Sequence, residues 1–180
     1  AVYDDMHHFG PELGLGHVLG ERFAEPVLLV KTAWGGKSLA RDFRPPSAGG
    51  ATGPYYSRML AELHAALESF ETVFPALAGH TAQLDGVVWF QGWNDGCDDA
   101  ATAEYEANLV HLVGDLRAAL GDAALPFVVG ETGNMDNAAL RAAQAAGCAQ
   151  PEVAHATRFV PTRAFLRAAE DSPNTSHGHH

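Results

Sequence analysis

The sequence predicts an α/β protein, a three-layer α/β/α sandwich with a mostly parallel sheet. Two observations predict this fold. Short apolar segments alternate with helical patterns along the chain, as expected when helices connect parallel strands. Each apolar segment also ends in a turn of glycine or polar residues, which is typical of the carboxyl edge of an open sheet. The chain has 180 residues, 47% of them hydrophobic, so we expect one domain over residues 1–180 with a substantial core.

The first half of the chain predicts two helices and two strands. Pro11 and Glu12 suit the first turn of a helix that continues over residues 13–23. Residues 26–33 and 87–90 are apolar and β-branched runs, so we expect two buried strands, the second covered on both faces. An apolar stripe predicts a helix over residues 55–74, ended by a proline.

The second half continues the alternation. Leucines and valines at helical spacing predict a helix over residues 103–120, and Gly121 should end it. Residues 126–133 and 157–162 predict two more strands. An alanine-rich helix between them should be capped by Asn137 or a neighbour and run through Ala146.

Charge and composition exclude several classes of protein. The chain has 11 Lys and Arg against 22 Asp and Glu, a formal charge of −11, which argues against nucleic acid or an anionic membrane as a partner. We expect no membrane span, because no apolar run approaches about 18 residues, and no signal peptide at the start. Cys97 and Cys148 are too few for a disulfide framework or a zinc site, and one bridge between them stays open.

Residues 85–95 contain the first candidate functional site. Gln91, Asn94 and Asp95 directly follow a predicted strand, at the sheet edge where α/β proteins bind ligands. The neutral amide of Asn94 suits the stabilisation of negative charge that appears during a reaction. The alternative is an ordinary loop in which Asn94 or Asp95 caps the next helix.

Glycines and histidines elsewhere complete a candidate catalytic set. Gly35 and Gly36 follow another predicted strand, and a backbone N–H there could join the Asn94 amide in an oxyanion hole. The alternative for the glycine pair is a simple turn. A histidine can act as general base near pH 7, although a cluster at a chain end is also typical of a disordered tail or a cloning remnant. The candidate bases are His177, His179 and His180.

Two common catalytic motifs are not matched. Gly36-Lys37-Ser38 would end a phosphate-binding P-loop, but the first glycine of that motif would fall at Lys31. Ser38 also lacks the second glycine of a nucleophile elbow. Ser38 is therefore a poor candidate for a nucleophile.

Several segments resemble one family of hydrolases. Gly92-Trp93-Asn94-Asp95 resembles the Gly-x-Asn-Asp block of the SGNH (GDSL-like) hydrolases, in the form found in the sialate O-acetylesterase branch of the carbohydrate acetylesterases. Residues 31–39 are similar to the glycine block of that branch, and residues 42–46 with 53–56 resemble its next loop. The resemblance implies the SGNH, flavodoxin-like form of the predicted sandwich.

The resemblance also implies a role for each candidate residue. Asn94 would supply the side-chain donor of an oxyanion hole, and Gly35 or Gly36 the backbone donor. Four residues would bind substrate or orient the loop: Gln91, Asp95, Trp34 and Trp93.

The end of the chain is similar to the closing block of the family. Gly178-His179-His180 matches that block, which makes His180 the general base in preference to His179 and His177. The aspartate that usually precedes this histidine by three residues is replaced by His177. The acids nearby, without an assigned role, are Glu170 and Asp171.

One element of the family's catalytic set has no counterpart in the sequence. The family's nucleophilic serine lies in a Gly-Gln-Ser-Asn segment on the first strand, and no such segment occurs among the 180 residues. We therefore expect the first strand and the final helix to lie outside this chain, and the chain alone to be inactive.

The expected function is hydrolysis of acetyl esters of sugars by a Ser/His mechanism. The expected partner is an acetylated carbohydrate, with no metal or organic cofactor, and the resemblance implies a secreted or periplasmic location. One alternative is a non-catalytic carbohydrate-binding domain that uses Trp34, Trp93 and Tyr55. The other is a metal-dependent hydrolase, whose ligands would be the three C-terminal histidines or Asp95, Asp98 and Asp99.

Overall fold

A computed structural model describes residues 10–166, which form helices around a small sheet. The strands are parallel and adjacent in the order β1-β2-β3. The predicted α/β class and parallel sheet are therefore confirmed. The α-helices are α1 (Glu12–Arg22), α2 (Pro54–Glu68), α3 (Phe70–Val73), α4 (Trp93–Gly96), α5 (Asp99–Leu120) and α6 (Ala138–Ala149); the strands are β1 (Val87–Trp89), β2 (Phe127–Gly130) and β3 (Thr157–Val160); short 3-10 helices span Pro46–Ala48, Pro75–Leu77, Ala154–Ala156 and Arg163–Phe165.

The core lies between the sheet and α5. Phe127 and Val129 of the central strand β2 are almost fully buried. They belong to one cluster with a stripe of α5 at helical spacing, whose members include Tyr105, Leu109, Leu112 and Val113.

Strand β1 is an edge strand within the described sheet, because it pairs only with β2. Trp89 is buried, but Val88 is 53% exposed. The prediction that residues 87–90 are covered on both faces is therefore wrong for the part of the chain that the structure describes, since the face of β1 that carries Val88 is left open there.

The predicted strand over residues 26–33 is also wrong. A strand exists only when a neighbour satisfies its backbone groups. Residues 26–33 make no backbone hydrogen bond to the rest of residues 10–166. Their apolar side chains stay partly exposed as a result, including Val27, Leu28 and Leu29.

The helices agree with the prediction apart from one break. The helix predicted over residues 55–74 is divided at Ser69, whose Oγ donates to the Ala65 carbonyl at 2.8 Å. Helix α5 begins four residues earlier than predicted, because Asp98 caps it by accepting from two backbone amides. Gly121 ends α5 in the left-handed conformation, at φ +75°. Asn137 caps α6 as predicted, accepting from the Leu140 N–H at 2.9 Å.

Helix α5 also carries a buried arginine that holds the starts of two strands. Arg117 is 4% exposed and donates to the carbonyls of Leu125 and Val153 and to the hydroxyl of Thr157. Leu125 precedes β2, and Thr157 begins β3.

No helix of residues 10–166 is long and apolar enough to cross a membrane.

Candidate active site

The turn after β1 is fixed by a buried polar network. The carbonyl of Gln91 accepts hydrogen bonds from the Tyr105 hydroxyl at 2.8 Å, from Gln144 Nε2 at 3.0 Å and from the Thr132 hydroxyl at 3.3 Å. Gln144 is fully buried and also accepts from the Thr132 N–H. A Cβ at Gly92 would lie 2.5 Å from Thr132 Oγ1, so only glycine lets the chain pass this closely. The network joins the carboxyl ends of β1 and β2.

Asp95 connects this turn to the segment around Leu39. Its carboxylate is fully buried and accepts from the backbone amides of Leu39 at 2.8 Å and Ala40 at 2.9 Å. Gln91 Nε2 donates to Asp95 at 2.7 Å and to the Lys37 carbonyl at 3.0 Å. Burial raises the pKa of Asp95, and the three donors oppose that rise. With no exposed surface, Asp95 is placed to orient the loop rather than to contact a substrate.

Asn94 and Gly36 face each other across a cavity of about 290 Å³. A Cβ placed on Gly36 would lie 4.0 Å from Asn94 Nδ2. Gly36 has a φ of +71°, a conformation that glycine adopts without strain. Within residues 10–166 the Asn94 amide has no hydrogen-bond partner, and it is partly exposed. Gly36, but not Gly35, lines the cavity.

Neither Asn94 nor Asp95 caps the following helix, which was the alternative interpretation. The cap of α5 is Asp98, whose Oδ1 accepts from the amides of Ala100 and Ala101. The Asn94 side chain is thereby left available to the cavity.

The two tryptophans proposed as substrate-binding residues occupy different environments. Trp93 lines the cavity and is 38% exposed. Trp34 instead packs against Tyr55, with ring centroids 5.1 Å apart, and the Arg58 guanidinium lies 4.8 Å from its ring. Lys37 Nζ lies 4.4 Å from the Tyr55 ring. Cations thus lie over rings that a sugar platform would need to present to solvent, whereas Trp93 belongs to the cavity.

Glu131 fixes the chain that follows β3. Its carboxylate accepts from the backbone amides of Thr162 at 2.7 Å and Arg163 at 3.0 Å, and it lies 3.6 Å from Arg141 Nε. The Thr162 hydroxyl donates back to the Glu131 carbonyl at 2.8 Å. These contacts hold the segment after β3 beside the end of β2.

The predicted general base lies outside the described residues. His177, His179 and His180 come after residue 166, as do Glu170 and Asp171. Their placement relative to Asn94 stays a prediction.

The aspartate version of the metal-site alternative finds no support among residues 10–166. Among residues 10–166 no group of three His, Cys, Asp or Glu could hold a metal ion. Asp95 is occupied by backbone amides, and Asp98 caps α5. Cys97 is exposed and Cys148 is buried, and both are free.

The sequence points to some further residues of the site and not to others. Thr132 and Asn134 line the cavity, and the sequence places residues 131–134 at the polar end of a predicted strand, where they could meet Gln91, Asn94 and Asp95 at one sheet edge. Tyr105 and Gln144 lie within helices, where no sequence pattern distinguishes a side chain that supports a site from any other polar core residue. Phe90 also lines the cavity.

Comparisons with known proteins concern the family and the fold of the chain. A family model described as "Carbohydrate esterase, sialic acid-specific acetylesterase" matches residues 2–177. A crystal structure of a protein from Arabidopsis thaliana is similar at a TM-score of 0.67 and 17% sequence identity, over 97% of this chain and 65% of that one. No curated protein matches the chain. The chain spans about two thirds of the length of the Arabidopsis protein.

The family match covers nearly the whole sequence and defines the class of protein. The chain belongs to the sialic acid-specific acetylesterase family of carbohydrate esterases. The structural likeness supports the SGNH-like α/β/α fold.

Proposed function

We propose that the protein is a carbohydrate O-acetylesterase that removes acetyl groups from a sialic acid-type sugar by a serine mechanism. The observation that carries the proposal is the Asn94 amide, without a partner among residues 10–166 and opposite Gly36 in the cavity beside β1 and β2. A neutral donor held by a buried network is suited to an oxyanion that exists only during the reaction.

In the proposed mechanism a serine hydroxyl attacks the carbonyl carbon of the acetyl ester. His180 accepts the serine proton and returns it to the sugar oxygen as the C–O bond breaks. The negative charge on the carbonyl oxygen is stabilised by Asn94 Nδ2 and the Gly36 N–H. Water then hydrolyses the acetyl-serine by the same route and releases acetate. No metal or organic cofactor takes part.

We further propose that the nucleophilic serine comes from a polypeptide segment outside these 180 residues. The free edge of β1 supports this, since β1 pairs only with β2 among the described strands, and the side chains of Val88 and Phe90 on one of its faces are 53% and 52% exposed. Residues 26–33 have the composition of a strand but no backbone partner within the described chain. Gln91 follows β1, and its side chain donates to the carbonyl of Lys37, four residues after the end of residues 26–33. The ends of the two segments are therefore close together. An added parallel strand would satisfy both free edges and end between Gly36 and Asn94.

The first test uses the 180-residue chain alone. We expect it to hydrolyse p-nitrophenyl acetate no faster than the His180→Ala variant, because the nucleophile is absent. A fluorophosphonate probe should leave the chain unlabelled in mass spectrometry. Stoichiometric labelling of one serine would show that the nucleophile lies within the chain and would overturn this part of the proposal.

The second test uses a protein in which residues 1–180 are joined to the serine-bearing segment. Release of acetate from O-acetylated sialic acid is measured for the parent protein and for Asn94→Ala. We expect the variant to lose roughly a hundredfold to a thousandfold in kcat, the usual effect of removing one oxyanion donor. Asn94→Asp keeps the size of the side chain but replaces the donor with a charged acceptor, so it should lose at least as much. A loss below about fivefold in both variants would contradict the proposed role of Asn94.

A further inference from the structure

Arg163 lies beside the chain that follows β2, where two residues line the cavity, and it is held there by two contacts. Its backbone N–H donates to the buried carboxylate of Glu131 at 3.0 Å. Its Nη1 donates to the Gly133 carbonyl at 3.4 Å. Gly133 stands between Thr132 and Asn134, and both of these line the cavity. The Arg163 guanidinium is therefore held against the backbone between two residues that line the same cavity as Asn94.

Among residues 10–166 the charge of Arg163 is only weakly compensated. Its Nη2 lies 4.0 Å from Asp136, whose side chain is 99% exposed, and its own side chain is 49% exposed. An ion pair this long and this exposed contributes little. The neighbouring Arg141 differs, because its side chain is 15% exposed and lies 3.6 Å from the Glu131 carboxylate. Arg163 thus keeps donors that a ligand could use.

We propose that Arg163 binds the carboxylate of an acidic sugar substrate while the acetyl ester lies between Asn94 and Gly36. This inference rests on the proposed function, and it assigns the residue that selects an anionic sugar over a neutral one. The planar guanidinium presents paired N–H groups that match a carboxylate. In a chain with a formal charge of −11, an acidic substrate needs such a local positive group at the site. The weakly held Asp136 is the group that the substrate carboxylate displaces.

The experiment measures binding to the 180-residue chain, so it does not depend on the nucleophile. The probes are N-acetylneuraminic acid and its methyl ester, which has the same shape without the carboxylate charge. Binding is followed by the shifts of backbone and side-chain amide signals in NMR. We expect the acid to bind roughly tenfold more tightly than the ester, the lower range for a hydrogen bond to a charged group. In Arg163→Gln the two probes should bind alike.

Two further variants show whether the preference for the acid depends on Arg163 itself. Arg158→Gln removes the same charge from β3 at an exposed site, where Arg158 Nη1 only meets the Ala154 and Thr157 carbonyls, and should keep the preference for the acid. Asp136→Asn removes the competing anion and should raise that preference about twofold. Equal binding of acid and ester by the parent chain, or a preference that survives Arg163→Gln, would overturn the inference. That result would leave the proposed acetylesterase activity untouched. The proposed function alone would be overturned if the 180-residue chain preferred the acid but the protein joined to the serine-bearing segment hydrolysed no O-acetylated sialic acid.

Discussion

Replacing Asp95 tests the physical basis of the whole site. Its carboxylate accepts three hydrogen bonds of 2.7–2.9 Å, from Leu39, Ala40 and Gln91, and is fully buried. In Asp95→Ala all three donors lose their acceptor, and each buried donor without a partner costs about 1–3 kcal/mol. We expect Asp95→Ala to lose about 4 kcal/mol of unfolding free energy, a large share of the roughly 5–15 kcal/mol typical of a domain.

The isosteric variant Asp95→Asn should lose less. Its amide offers one oxygen for three donors, so at least one buried N–H faces another donor. Asparagine also avoids the desolvation of a charge, the effect that raises the pKa of Asp95. The two effects partly cancel, and we expect a loss of about 2 kcal/mol.

Urea unfolding followed by tryptophan fluorescence measures both losses, since Trp89 is buried in the core. Asp136→Asn is the matched control, because that side chain is 99% exposed. It should change the unfolding free energy by less than about 0.5 kcal/mol. If Asp95→Asn were as stable as this control, the hydrogen bonds of Asp95 would not be what holds the Gly36 turn against Asn94.

Three further predictions concern the surroundings of the site. Gly92→Ala should lose about 1–3 kcal/mol in urea unfolding, because its new Cβ would lie 2.5 Å from Thr132 Oγ1; a neutral result would mean that the network relaxes freely. Partial burial by itself would raise the pKa of Asp42, but hydrogen bonds from Ser38 and the nearby Lys37 outweigh it and lower that pKa below the ordinary 3.8. The contribution of Asp42 to stability is therefore present above its pKa in the unfolded chain and is lost as the pH falls through its lower pKa in the folded chain. The difference in unfolding free energy between the parent and Asp42→Asn should shrink between about pH 5 and pH 2. A difference that grows on acidification would contradict this prediction. Burial raises the pKa of the Cys148 thiol to about 11. A thiol reagent at pH 8 should therefore modify Cys97 alone in the native chain and both cysteines in urea. Fast reaction of both cysteines in the native chain would show that α6 opens readily.

Local sequence signals were enough for the elements that depend on near neighbours. Pro11 and Glu12 begin α1, Asn137 caps α6 and Gly121 ends α5, each through contacts within a few residues. The end-of-strand position of Asn94 likewise pointed to the cavity that it lines.

The residues of the candidate site were predicted only as far as chemistry and position along the chain allow. Asn94 was identified together with the pair Gly35 and Gly36, and Gly36 lines the cavity with it. Their meeting depends on Asp95, which reaches backbone amides 55 and 56 residues away. The sequence pattern was equally compatible with Asp95 as a substrate contact or as a helix cap.

The sequence by itself determined the α/β class, the ends of most helices and the polar turn after β1, because these depend on periodicity, caps and turn residues. Only the tertiary structure decided that Gly36 rather than Gly35 lines the cavity, that residues 26–33 form no strand, and that Gln144 and Tyr105 support the turn. The physical reason is that these features rest on hydrogen bonds and pairing between residues far apart in the chain. Such contacts exist only once packing has brought their partners together.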